Sequence, residues 1–327
     1  PTGTHLVTIR ATDNCGATTD ATITVTVTAP QSGPGNLPAS AVLPSQQKPG
    51  SILIFNLYTS SINTALNDTQ ISLTNTNPVN PVNIHLFFID GLSCSVSDQF
   101  ITLTQNQTSS FLASDIDPEV TGYLIAVAVD SDGCPMVSNF LIGRADVRFV
   151  SGHHATLPAI GVSGLGMPAQ PCSSSSTTTS LAFNGVQYDE LPRTLSIDSL
   201  PSLANGNAPM LIVNRIGGDL ATEAAKLGSL SGRLFDDSEI SRSFTLSGGV
   251  CQLRGLMGDN FPRTQPSYSN VIPSGRTGWM KLWAVGDEGL SGVMINKGLN
   301  GFSGGYNLQT LTTTSTVILT MPVSPVY

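Results

Sequence analysis

Period-two alternation of apolar and polar residues runs through most of this chain. Residues 5–12 place Val7, Ile9 and Ala11 on one side, and residues 21–28 place Ile23, Val25 and Val27 on one side. Between them, Asp13-Asn-Cys-Gly16 has turn chemistry. The pattern predicts a β-hairpin over 1–29. Two strands alone are marginal in water, so the apolar face calls for a cover from outside this stretch.

Residues 30–50 are rich in Pro and Gly and read as a linker. From Ser51 onward, short strand-like runs separated by turn signals predict a β-sandwich over 51–150. A second linker is expected over 151–180, including the Ser/Thr tract 173–179, and a second β-sandwich over 181–327. The fold class is therefore all-β: two tandem antiparallel β-sandwich domains, Ig-like or jelly-roll-like, plus an N-terminal β-hairpin. One short helix is expected over 219–227, with an acidic start and a Gly after its end. The two large segments read as diverged copies. Residues 52–56 echo 210–214, residues 86–90 echo 233–237, and residues 121–130 echo 277–287, in the same order.

Composition sharpens this picture. Of 327 residues only 11% are charged, with a net charge of −8, so no basic footprint for nucleic acid is present. No apolar run approaches the roughly 18 residues that span a bilayer, and a membrane-spanning protein is not expected. Five Cys and no Cys-x-x-Cys spacing point to an oxidising compartment. Cys94 with Cys134, in the first domain, and Cys172 with Cys251, in the second, are the expected disulfides. Cys15 is left over. Residue 1 is Pro inside an apparent domain, and the chain is expected to be processed or partial.

The opening stretch Gly3-Thr-His-Leu-Val-Thr-Ile-Arg-Ala-Thr-Asp-Asn-Cys-Gly16, with Thr22-Ile-Thr-Val-Thr-Val27, resembles the last two strands of hyalin-repeat and PKD-type immunoglobulin-like modules. The resemblance implies that the turn Cys bonds a Cys elsewhere in its module, a partner this sequence lacks. Residues 50–56, 86–94, 111–118 and 271–279 resemble C-terminal regions of large secreted bacterial surface proteins. That implies a multi-module extracellular protein at the cell surface.

Candidate chemistry is sparse. Four His and no Gly-x-Ser-x-Gly elbow make a nucleophilic triad improbable. His153 and His154 lie in the expected linker and read as solvated. No cofactor and no metal centre are expected. The weak Ca²⁺ candidates are Asp115, Asp117, Asp130 and Asp132, although Asp130-Ser-Asp-Gly133 lacks the later acids of a calcium loop and reads as an ordinary turn. Asp189/Glu190 and Asp236/Asp237 are further acid pairs. Trp279, Lys281 and Trp283 alternate onto one strand face, either as an aromatic binding platform or as a row covered within the sandwich.

These readings add up to a non-enzymatic extracellular structural protein. The leading expectation is self-assembly into a filament, with other copies of the chain as partners. The hairpin would add as β-strands to a neighbour and bury Val7, Ile9, Ile23, Val25 and Val27. A glycan-binding adhesin acting through Trp279, Lys281 and Trp283 is the alternative, and a polysaccharide-active enzyme is a weaker one.

Overall fold

The computed structural model describes residues 3–27, 43–61, 63, 67–166, 172–299, 301 and 303–326, and the chain is all-β. It divides into two units, 1–41 and 42–327. Most of the linker expected over 30–50, residues 30–42, lies outside the described residues.

The first unit is a hairpin of β1 (Gly3–Thr12) and β2 (Thr18–Val27), paired antiparallel with Val7 opposite Ile23 and Ile9 opposite Ala21. Its turn forms because the Asp13 carboxylate accepts the N–H groups of Cys15 and Ala17, each at 2.9 Å, and Gly16 supplies a φ of +86°.

In the second unit the first nine strands are β3 (Ile52–Thr59), β4 (Thr69–Asn75), β5 (Val82–Asp90), β6 (Val96–Leu103), β7 (Thr108–Leu112), β8 (Thr121–Val129), β9 (Leu141–Arg148), β10 (His154–Pro158) and β11 (Ile160–Val162). They make a five-stranded sheet, β6-β5-β8-β3-β11, and a four-stranded sheet, β10-β9-β4-β7. The stretch expected as a second linker thus supplies β10 and β11, because Ala155, Leu157, Ile160 and Val162 alternate into the cores.

The later strands are β12 (Thr178–Phe183), β13 (Pro192–Pro201), β14 (Pro209–Ile216), β15 (Gly218–Asp219), β16 (Glu223–Ala224), β17 (Leu230–Asp236), β18 (Ser241–Leu246), β19 (Gln252–Leu256), β20 (Thr277–Ala284), β21 (Gly289–Lys297), β22 (Ser303–Asn307), β23 (Gln309–Thr313) and β24 (Val317–Pro322). They repeat the plan: a five-stranded sheet, β18-β17-β20-β13-β23, and a four-stranded sheet, β22-β21-β14-β19. Strand by strand in sequence, the two orders coincide with those of the first half. The leftover strands form a joining sheet, β12-β24-β15-β16, in which only β15 with β24 is parallel.

The correspondence reaches single residues. Each half has a bulge in its first strand, between Phe55 and Tyr58 and between Ile197 and Leu200. Gly122 pairs with Asp90, and Gly278 with Asp236. A β-carbon at either glycine would collide with a partner-strand carbonyl, that of Ile89 or Phe235. Two of the expected internal echoes, β5 with β17 and β8 with β20, are therefore topological equivalents. The third is not: β3 corresponds to β13, whereas residues 210–214 belong to β14, the counterpart of β4.

The body does not separate into two independent cores. One face of the first five-stranded sheet (Leu53, Phe55, Leu86, Phe88) packs on its four-stranded partner, in a cluster that also takes in Ile212, Val293 and Ile295 of the second half. The other face (Ile54, Phe87, Tyr123, Ile125, Val127) packs on Leu181, Phe183, Leu319 and Met321 of the joining sheet. A third cluster, around Ile197, Leu211, Leu234 and Leu282, fills the second sandwich. Covering both faces explains why β3, β5 and β8 are nearly continuous apolar runs. Truncating a fully buried ring such as Phe87 to Ala would cost about 3–5 kcal/mol.

Polar side chains caught between the halves bond to one another, with Gln252 Oε1 left without a partner among the described residues. The Asn214 side-chain amide donates to the Asn56 carbonyl (3.0 Å), and Asn56 donates to Asn307 Oδ1 (2.8 Å) and to the Gly292 carbonyl (3.0 Å). Gln252 donates to Asn214 Oδ1 at 2.8 Å. Buried amides paired in this way fix how the halves meet.

The four expected cysteines are oxidised, but in a different pairing. Cys94, in the β5–β6 turn, bonds Cys251, just before β19, and Cys134, after β8, bonds Cys172, before β12. Pairing within each half assumed separate cores; the shared core brings Cys94 and Cys251 together instead. Two disulfides belong to an oxidising, non-cytoplasmic environment. No helix among the described residues is long and apolar enough to cross a membrane.

The helix expected over 219–227 is absent. The Asp219 carboxylate accepts the Ala221 N–H (3.0 Å), closing a turn between β15 and β16 and committing Leu220 and Ala224 to the core. A single helical turn, α1 (Tyr268–Val271), forms elsewhere.

Candidate functional site

Alternation gives the hairpin two unlike faces. Val7, Ile9 and Ile23 share one, with exposures of 42%, 56% and 48%. Val25 and Val27 occupy register positions of the same face; their side chains lie outside the described residues. The opposite face is polar apart from exposed Leu6. There Arg10 pairs with Asp20 through two 2.7 Å hydrogen bonds, which raise the guanidinium pKa and lower that of the carboxyl. Cys15 is an exposed free thiol in the turn.

A second open apolar surface lies on the body. Met280, Leu282 and Ala284 point into the core, and Trp279, Lys281 and Trp283 lie half-buried on the outer face of the second five-stranded sheet. The sheet adds residues the chain pattern alone did not join to them, Phe235 and Arg233 of β17. Phe235 stacks on Trp279 with ring centres 4.3 Å apart and planes 5° from parallel, and the Lys281 ammonium lies 6.0 Å from the Phe235 ring. The signal was the β17–β20 register, which sets Phe235 opposite Trp279 and Arg233 opposite Lys281.

The acidic candidates do not converge. Asp115 accepts the Leu112 N–H, and Asp117 accepts the hydroxyls of Tyr58 (2.5 Å) and Ser97 (2.9 Å). Burial, and secondarily the Asp117 bond, push the Tyr58 hydroxyl pKa far up. Asp130 accepts the N–H groups of Asp132 and Cys134 within its turn. These two acid clusters sit at opposite ends of β8, whose length separates them by roughly 30 Å. They do not form one site, and no metal-binding group occurs among the described residues.

Asp236 closes the β17–β18 turn by accepting the Ser238 and Ile240 N–H groups. Arg276 binds Asp237 and holds its carboxyl below the usual range. Asp189, fully buried, receives Lys48 at 2.5 Å and the Ser163 N–H at 2.6 Å.

The linker reading also fails for His153. Its Nε2 lies 2.9 Å from the Gly298 carbonyl, which only accepts, so Nε2 carries the proton and Nδ1 faces the Ser151 hydroxyl at 2.8 Å. The bond ties the first half to the second.

No protein-family model, no curated protein and no solved structure matches this chain.

Proposed function

We propose that this chain is a non-enzymatic extracellular structural protein that joins head to tail into a surface filament. The observation that carries this reading is the hairpin face of Val7, Ile9 and Ile23, which stays exposed while the other face of the ribbon is polar. A ribbon of that build is stable when something covers one side of it.

The receiving surface in this reading is the outer face around Trp279, Trp283 and Phe235 in the next copy. Its counterpart in the first half, around Tyr123, Ile125 and Val127, is buried beneath the joining sheet. A two-stranded ribbon laid on the second half would reproduce that layer. The hairpin of one copy on the open face of the next makes a heterologous contact that propagates.

Full burial of a Val or Ile contributes about 1.5–3 kcal/mol, against an association cost of about 4–15 kcal/mol. The three described residues therefore give a weak joint, and polymer length should rise steeply with concentration. Light scattering on the full chain across a dilution series tests this. The wild type should grow with concentration, and Ile9→Asp with Ile23→Asp, or Trp283→Asp alone, should stay monomeric. A wild-type chain that remains monomeric throughout overturns the reading.

A surface-glycan adhesin would use the same outer face. There Phe235 and Trp279 already cover one another's facing sides, which leaves Trp283 as the flat surface for a sugar ring.

A further inference from the structure

Where the halves meet, a cavity of about 380 Å³ opens between β3, the end of β9 and strands β14, β19 and β21. Its size falls within the range of small-molecule sites, about 300–1,000 Å³. Two cations face it, Arg254 and Lys297, and no acid is among its lining residues. That is notable in a chain of net charge −8.

Among the described residues neither cation is in contact with a carboxylate. Among the described residues, Arg254 makes no side-chain hydrogen bond or ion pair; Asp90 acts on it only through space. The Lys297 ammonium rests 5.0 Å from the centre of the Phe149 ring, which positions it without neutralising it. Phe149 belongs to the first half and Lys297 to the second, so the site exists only because the halves share a core. Arg254 is exposed and Lys297 half-buried, and two cations that face one hollow without a contacting acid raise the local concentration of anions.

The rest of the lining narrows the ligand. Leu57 and Met210 give an apolar floor, Thr121 contributes a hydroxyl, and the Thr59 and Ser151 hydroxyls, which already donate to the Arg148 carbonyl and to His153 Nδ1, offer lone pairs that accept. A bare inorganic anion, which has no proton to donate, would use the cations and leave the floor and the Thr59 and Ser151 acceptors idle. A sugar ring carrying a carboxylate uses all three: charge for the cations, hydroxyls for the hydroxyls, and a C–H face for the floor.

We propose that this cavity binds an acidic saccharide, with Arg254 and Lys297 holding its carboxylate. The proposal is independent of the hairpin and of filament formation.

Calorimetric titration of the full chain with D-glucuronate, D-glucose and sulfate tests it. Glucuronate should bind, more weakly as salt rises from about 0.05 to about 0.5 M, because ions screen the contact. Glucose and sulfate should each bind about tenfold more weakly or not at all. Arg254→Gln with Lys297→Gln should weaken glucuronate by about tenfold or more, the expected loss of charge-assisted bonds. Arg254→Lys should retain most of the affinity. Unpaired side chains contribute little to folding, so the variants should melt with the wild type; each single variant gives the same reading if the double variant is unstable. Absence of glucuronate binding, retention of binding in the Gln variants, or sulfate binding as tightly as glucuronate would overturn the proposal.

Discussion

The two five-stranded sheets share one strand order but differ in what covers them. In the first, β8 is buried along nearly its whole length; in the second, its counterpart β20 alternates buried with half-buried. Aligned on Gly122 and Gly278, Tyr123 corresponds to Trp279, Ile125 to Lys281 and Val127 to Trp283. The opposing pair Ile89 and Tyr123 becomes Phe235 and Trp279. One scaffold thus carries two kinds of outer surface, and the hydrophobic pattern of the strand records which is covered.

Exchanging residues between the halves tests this contrast most severely. Ile125→Lys puts into the first half what the second carries at that register. It leaves an unpaired charge beneath the joining sheet and should cost about 4 kcal/mol or more, read by denaturant unfolding. The reverse change, Lys281→Ile, should move stability by no more than about 0.5 kcal/mol while increasing self-association. Equal costs for the two would show that the faces are not differently covered.

A smaller effect is expected at the bulges. Asn56 is buried in the amide network at the joint, and Asp198, its counterpart in β13, is exposed. Asn56→Ala should cost about 1–3 kcal/mol by removing the side-chain donor to Asn307 Oδ1 and the Gly292 carbonyl, and Asp198→Ala should be nearly neutral.

The mildest difference is one of pH. His85 is fully buried against Phe87 and Phe100, and β17 carries Ser231 at the same register. Burial lowers the His85 pKa despite the 2.8 Å contact with Asp98. The folded state therefore favours the neutral ring. Its stability is fully present above the unfolded value of about 6.5 and is lost as pH falls below it, because the unfolded chain binds the proton more readily. His85→Ser should flatten that slope in melting curves between about pH 7 and pH 5. An unchanged slope would assign the dependence to another group.

Much of this architecture could be read from the chain. The alternation at Met280, Leu282 and Ala284 located β20 and its inner face, and the runs at 52–58 and 123–129 located β3 and β8. The same continuous runs also held an unread message: a strand apolar on both sides has two covers. That cover is the joining sheet, and its two-residue strands β15 and β16 are too short to show any period. Treating the halves as separate cores led directly to the wrong cysteine partners. The cavity at the joint was invisible for a related reason, since Arg254 and Lys297 gain meaning only when Phe149 and Leu57 arrive from the other half.

The short segment ahead of β3 bears on how the body would carry load. Ser45 exchanges two main-chain hydrogen bonds with Gly161 of β11, Gly50 does the same with Leu141, and Lys48 reaches buried Asp189. Tension applied upstream would therefore enter at the edge of one sheet and, through residue 189, in the opposite half at once. Such a root spreads a tug over both halves of the body instead of loading a single strand.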